Sequence, residues 1–187
     1  MKLFSLTLIL FGLSSISKAQ NASVEKSIYG IQIGFIGIWA HNEVKLSNNF
    51  VLRSELGFES GNYGAGYHPE RGYLISPALT LEPKWYYNLN KRSSKSKSIS
   101  GNSGNFISLK STYYPSVFVI STYDNRRVIK QISFIPTWGI RRNIGEHLNY
   151  ETGLGVGYRY VYANSARLIE KEKEAAINLH LRIGYRF

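Results

Sequence analysis

Eleven ionisable side chains recur at alternate positions of otherwise apolar stretches: Arg53, Glu55, Glu59, Glu82, Lys84, Lys110, Glu151, Arg159, His180, Arg182 and Arg186. Cations and carboxylates interspersed on one face can neutralise each other away from bulk water. They can also line a narrow passage, and this set holds more basic than acidic groups, so such a passage would favour anions. Acyl-transfer chemistry asks for more: a nucleophile, a base and an orienting acid within reach of one another. His41, His68 and His147 fall in polar connectors, whereas His180 sits in a strand without a serine beside it, and the chain has no G-x-S-x-G motif. His180 reads as a hydrogen-bonding group of an enclosed interior.

Metal and cofactor chemistry find no anchor either. No two histidines share metal-ligand spacing, and Asp124 is the only aspartate among 12 acidic residues, which excludes Asp-rich calcium loops. The absence of cysteine excludes disulfides, thiolate zinc sites, cysteine nucleophiles and a lipid-modified N-terminal cysteine. Gly153-Leu154-Gly155-Val156-Gly157 lacks the spacing and the following helix of a phosphate-binding loop. Its alternate glycines instead leave room for bulky partners such as Arg and Tyr. The sequence assigns no catalytic, cofactor-binding or metal-binding residue, and the expectation is a non-enzymatic protein without a cofactor.

The elements that must position the charged set are strands. Ile177, Leu179, Leu181, Ile183, Tyr185 and Phe187 fall on one face, and Asn178, His180, Arg182, Gly184 and Arg186 on the other. A period of two marks extended backbone whose faces meet different surroundings. The same alternation covers 148–160, 132–141, 73–85 and 50–59, and more loosely 28–40 and 105–121, with Gly34 and Gly37 marking a bend or bulge in the first. Polar connectors occupy 41–49, 60–72, 88–104, 122–127, 143–147 and 163–173. Aromatic residues gather at the segment ends: Trp39, Trp85-Tyr86-Tyr87, Trp138, Tyr158, Tyr160, Tyr162, Tyr185 and Phe187. Amphipathic rings at both edges of an apolar band are the girdles of a transmembrane β-barrel. Closure would leave no backbone edge unpaired in lipid. The expected fold is an all-β, antiparallel transmembrane β-barrel of eight strands. Seven can be placed, and the even number of bacterial barrels requires another near 20–30 or within a long connector.

The 187 residues suit one domain, with 14 Tyr and 17 Gly and only 19% charged residues. Met1-Lys2, the apolar run Leu3–Leu13 and Ser17-Lys18-Ala19 make residues 1–19 a signal peptide, cleaved near Ala19. The domain is then 20–187, and losing Lys2 and Lys18 lowers the net charge from +11 to +9. An exported chain of this charge is not expected to meet nucleic acid. Lys91, Arg92, Lys95 and Lys97 form a basic connector, either a solvated turn or a contact for acidic headgroups, worth ~1 kcal/mol per residue near an anionic surface.

With an export signal, alternating strands and the ending Gly184-Tyr185-Arg186-Phe187, the chain resembles the small outer-membrane β-barrel proteins of Gram-negative bacteria, OmpA/OmpW-like barrels of the porin-family type found in Bacteroidetes. The stretches Glu82–Leu89 and Trp138–Gly145 carry the same likeness. The resemblance implies that Ile183, Tyr185 and Phe187 form the terminal signal read by the barrel assembly machinery. It also implies outer-membrane lipids and lipopolysaccharide as surroundings, and a monomer. It places Phe187 and the connectors 41–49, 88–104 and 143–147 on the periplasmic side, with 60–72, 122–127 and 163–173 external. The function expected is structural, or that of a narrow pore or binding barrel with an ion-paired lumen. The alternatives are an outer-membrane lipid-modifying enzyme and a secreted soluble β-barrel or sandwich that binds a small ligand.

Overall fold

Strands with two such different faces need edge partners, because every unpaired N–H and C=O is costly away from water. The computed structural model describes residues 22–60, 74–115, 117, 120–121, 130–162 and 172–187. The signal peptide and its cleavage site lie outside these residues, as do His68 and most of the connectors 60–72, 122–127 and 163–173. Eight long strands are present: β1 (Ser27–Gly34), β2 (Gly37–Lys45), β3 (Phe50–Ser60), β4 (Leu74–Tyr86), β5 (Gly104–Tyr114), β7 (Gln131–Ile144), β8 (Leu148–Val161) and β9 (Glu172–Arg186). A two-residue strand, β6 (Ile120–Ser121), pairs among the described residues with the start of β4. Each long strand pairs antiparallel with the next, and β9 returns to β1, so the sheet closes into a barrel. No helix among the described residues is long and apolar enough to cross a membrane, which says nothing of strands.

The strand missing from the sequence reading lies in 28–45. What reads as one bent segment is a hairpin, with Ser27 opposite Val44 and Gly34 opposite Gly37 around a turn of only Phe35 and Ile36. Neither turn residue is a usual turn former, so the alternation runs on through the bend. Gly37 is required by close approach, since a Cβ there would lie 2.2 Å from the Phe58 carbonyl oxygen. Three expectations change as a consequence. The connector 41–49 shrinks to residues 46–49, His41 belongs to β2 rather than to a loop, and Trp39 points inward instead of joining a girdle.

This hairpin is also the shortest part of the wall. β1 meets β9 over Gly30–Gly34 and Arg182–Arg186, and among the described residues Glu172–Leu181 of β9 pairs only with β8.

Residues 22–26, the C-terminal Phe187, the turns 46–49 and 145–147 and the connector 87–103 gather at one mouth. That is the grouping of connectors read from the sequence for one side of the barrel. The connector is more than a turn. It holds a short helix α1 (Leu89–Ser93) and a 3-10 turn (Ser100–Asn102), and it folds over the mouth together with residues 22–26. Ala22, Val24, Val51, Tyr86, Leu89 and Phe106 form one buried apolar cluster there, which takes Tyr86 out of the predicted girdle. Asn90 accepts the Ala22 N–H at 3.0 Å and Asn102 accepts the Glu25 N–H at 2.8 Å, so the N-terminal segment is tied across the opening.

Candidate functional site

Inward positions along each strand carry the polar groups and outward positions the apolar ones, and parity decides which is which. β3 shows the logic: Val51, Arg53, Glu55, Gly57 and Glu59 face the lumen, while Phe50, Leu56 and Phe58 face out. The same rule places Glu82, Lys84, Lys110, Glu151, His180 and Arg182 inside, each at least nine-tenths buried.

Arg53 is the hub. Its Nε donates to Glu43 Oε1 at 2.8 Å, and its two terminal nitrogens grip Glu151 bidentately at 2.9 and 2.8 Å. A further bond of 3.0 Å reaches Glu55. Lys84 Nζ donates to Glu151 Oε1 at 2.8 Å, lies 3.4 Å from Glu82 and stands 4.0 Å over the Phe106 ring. Arg182 donates to both oxygens of Glu55 and stacks its guanidinium 3.7 Å over the Trp39 ring. Arg141 donates to Glu43 Oε1 at 2.8 Å, and Ser108 Oγ donates to Glu82 at 2.6 Å. Gln32 accepts from Arg53 and Arg182 at 3.5 and 3.4 Å. With Gln32, Glu43, Arg53, Lys84, Ser108, Arg141, Glu151 and Arg182, every one of the eight long strands supplies a member. Asn102 donates to Glu43 Oε2 at 2.8 Å, so the cap over the mouth joins the same network.

Glycines on the inner face explain how such large groups fit. A Cβ at Gly57 would lie 2.2 Å from Trp39 Cδ1, and one at Gly153 would lie 2.5 Å from His180 Cε1. Gly155 and Gly157 instead let β8 approach the β7 backbone, with the Pro136 and Phe134 carbonyls 2.3 and 2.1 Å from the positions a Cβ would take. The room expected for Arg and Tyr is thus taken by an imidazole and by backbone. His180 has Asn178 beside Nδ1 and stands 3.6 Å from Glu151, while His41, buried on β2, has no hydrogen-bond partner for either ring nitrogen among the described residues.

Several sequence expectations shift. Arg159 is half-exposed and pairs with Glu174 near the far mouth. Arg186 lies at the capped rim, where NH1 donates to Glu25 at 3.0 Å, NH2 to Ser100 at 2.8 Å and Nε to the Glu146 carbonyl at 2.7 Å. Neither belongs to the central network. Glu43 and Arg141, absent from the sequence-derived set, do belong. Glu43 was hidden by the misplaced connector, whereas Arg141 stood on the polar face of its strand and could have been found by parity. With these changes the described residues of the buried lumen include five carboxylates (Glu43, Glu55, Glu59, Glu82, Glu151) and five cations (Arg53, Lys84, Lys110, Arg141, Arg182). Among them there is no cationic excess of the kind that would favour anions.

The outer wall is the opposite. Ile177 and Leu179 are 73% and 74% exposed, and Ile31, Leu81, Ile107, Leu154 and Val156 stand out beside them. Among the described side chains of the long strands, no carboxylate faces outward. Trp85, Tyr87, Trp138, Tyr185 and Phe187 lie outward toward the capped mouth, and Phe134, Tyr158, Tyr160 and Tyr162 toward the other. Ile183, Tyr185 and Phe187 are all exposed, and the Tyr185 and Phe187 rings meet edge-on at 5.4 Å. In the basic connector Lys91, Lys95 and Lys97 are exposed, and Arg92 is spent on the Ser98 carbonyl at 2.7 Å.

No protein-family model matches the chain. No curated protein matches it. Among solved structures, the crystal structure of a major outer membrane protein from Thermus thermophilus is similar, with a TM-score of 0.40 and 14% identity, covering 87% of this chain and 100% of that one.

Proposed function

We propose that the chain is an outer-membrane β-barrel protein of a Gram-negative bacterium, non-enzymatic and structural, with its lumen closed by the charge network. The observation that carries this reading is the inverted polarity: ten charged groups buried within, and a continuous apolar wall bounded by aromatic girdles without. A water-soluble monomer rarely exposes more than a few hundred Å² of contiguous apolar surface, whereas lipid is the solvent that such a wall fits. The leader at 1–19 exports the chain, and the barrel works as a monomer among outer-membrane lipids and lipopolysaccharide. Nucleic acid, metal and cofactor have no part in it.

Cell fractionation tests the location. The protein is expected in the detergent-extracted outer-membrane fraction, and recovery from the soluble periplasm without detergent would overturn the proposal. Closure is tested separately in planar bilayers. The refolded protein is expected to show no steady conductance, because the network reaches across the lumen from all eight strands and the cap covers one mouth. Sustained single-channel steps would replace the structural role by a pore.

Ile183, Tyr185 and Phe187 are proposed to guide assembly. Deleting Phe187 is expected to delay the folded, heat-modifiable form in cells while leaving its final stability nearly unchanged, since the ring is 76% exposed. Unaltered assembly kinetics would remove that role.

A further inference from the structure

Among the described residues the buried inner charges balance in number, but the outer wall is not neutral. At the uncapped end, outside the barrel, Lys130 Nζ stands 5.8 Å from the Tyr113 ring centre and 5.5 Å from that of Tyr162. Lys173 Nζ stands 4.1 Å over Tyr158 and 5.8 Å from Tyr160. Pairing explains the arrangement: Tyr160 lies opposite Lys173 across β8 and β9, and the Tyr162 N–H donates to the Lys130 carbonyl at 3.0 Å. The two lysines therefore flank the Tyr160–Tyr162 edge of β8, Lys130 just ahead of β7 on one side and Lys173 on β9 on the other, two residues out of step along the strands.

These ammonium groups have donors to spare. Among the described side chains neither makes a hydrogen bond or an ion pair, and none of those facing outward beside them is a carboxylate. Arg142, the outward cation near the capped mouth, differs in that its nitrogens are committed to the Gly104 and Arg141 carbonyls and to Asn105 Oδ1. A cation over an aromatic face gains from the ring while keeping its N–H groups free for an anion. The patch also sits where the apolar wall ends, with Phe134 and Val156 farther down the outer face and nearer the capped mouth. That is the depth at which a lipid headgroup meets the barrel.

We propose that Lys130 and Lys173, with the phenols of Tyr113, Tyr158, Tyr160 and Tyr162, form a binding site for a lipid whose headgroup carries two separated phosphates. Two separate cations on either side of β8 favour a diphosphorylated headgroup over one with a single phosphate, because each can meet a phosphate of its own. The acyl chains of that lipid lie down the wall past Phe134 and Val156. The inference rests on the membrane reading above and adds the side and chemistry of the lipid.

Binding of diphosphoryl lipid A, monophosphoryl lipid A and phosphatidylglycerol to the protein in zwitterionic nanodiscs, measured by native mass spectrometry, tests the site. The wild type is expected to bind the diphosphoryl form most tightly. Lys130→Gln and Lys173→Gln should each weaken it about fivefold, and the double variant about thirtyfold, as ~1 kcal/mol per lysine implies. Both substitutions sit on the exposed wall, so the heat-modifiable folded form should be unchanged and serves as the folding control. Equal affinity for the two lipid A forms, or variants that bind like the wild type, would overturn the proposal. Failure of the wild type to float with purely zwitterionic vesicles would instead overturn the membrane reading beneath it.

Discussion

Arg53→Ala should destabilise the barrel by about 3–5 kcal/mol, the largest single effect expected from the lumen. The side chain is fully buried and touches Glu43, Glu55 and Glu151, which come from β2, β3 and β8. Bringing any of these charges out of water costs several kcal/mol, so the network as a whole is weak evidence for net stability. Removing one partner is a different matter, because the desolvation is already incurred and the compensation is lost. Each carboxylate would keep at least one other cation: Lys84 and, at 4.0 Å, Arg141 for Glu151, Arg182 for Glu55 and Arg141 for Glu43. That surviving support keeps the expected loss within the stated range. Arg53→Lys should recover only part of it, since a single ammonium cannot make the bidentate grip on Glu151. Urea unfolding of the refolded barrel in lipid vesicles, followed by tryptophan fluorescence, measures the change. A loss below about 1 kcal/mol would show that the lumen rearranges freely and that the network is not what holds the strands in place.

Leu181→Arg tests the other face and should cost about 2–4 kcal/mol, because a guanidinium at the middle of the bilayer cannot reach water without distortion. Leu181 lies outward on β9, opposite Thr152 of β8, with its side chain about half-exposed. The informative comparison is Leu148→Arg at the strand end, where Leu148 faces outward opposite Tyr185 and the expected cost falls to about 0–1 kcal/mol. Depth dependence of this kind belongs to lipid alone. If both variants are neutral, or if Leu181→Arg raises solubility without detergent, the wall faces water and the soluble alternative takes over.

Arg53 and Leu181 also mark how much was legible in the sequence. Alternation along each strand is a local property, and a period of two leaves only two choices of face. Once the apolar set is assigned outward, the polar set must point inward. Most of the lumen charges and the antiparallel barrel follow from that. The errors arose where local signals fail. Phe35-Ile36 makes a turn from apolar residues, which hid a strand and with it Glu43, the buried place of His41 and the inward Trp39. Arg159 and Arg186 have the right parity, but parity has no depth, and both sit at the rims.

Sequence by itself determined strand and face, because hydrophobic periodicity is written in neighbouring residues. Which charges meet was left to the closed barrel. Arg53 and Glu151 are 98 residues apart and touch only because eight antiparallel pairings bend the sheet back on itself. Closure also set the balance of five against five among the described residues of the lumen, since counting charges requires knowing which are enclosed together. The reason is physical: alternation acts between adjacent residues, whereas electrostatic pairing acts across space and exists only after the ring has closed.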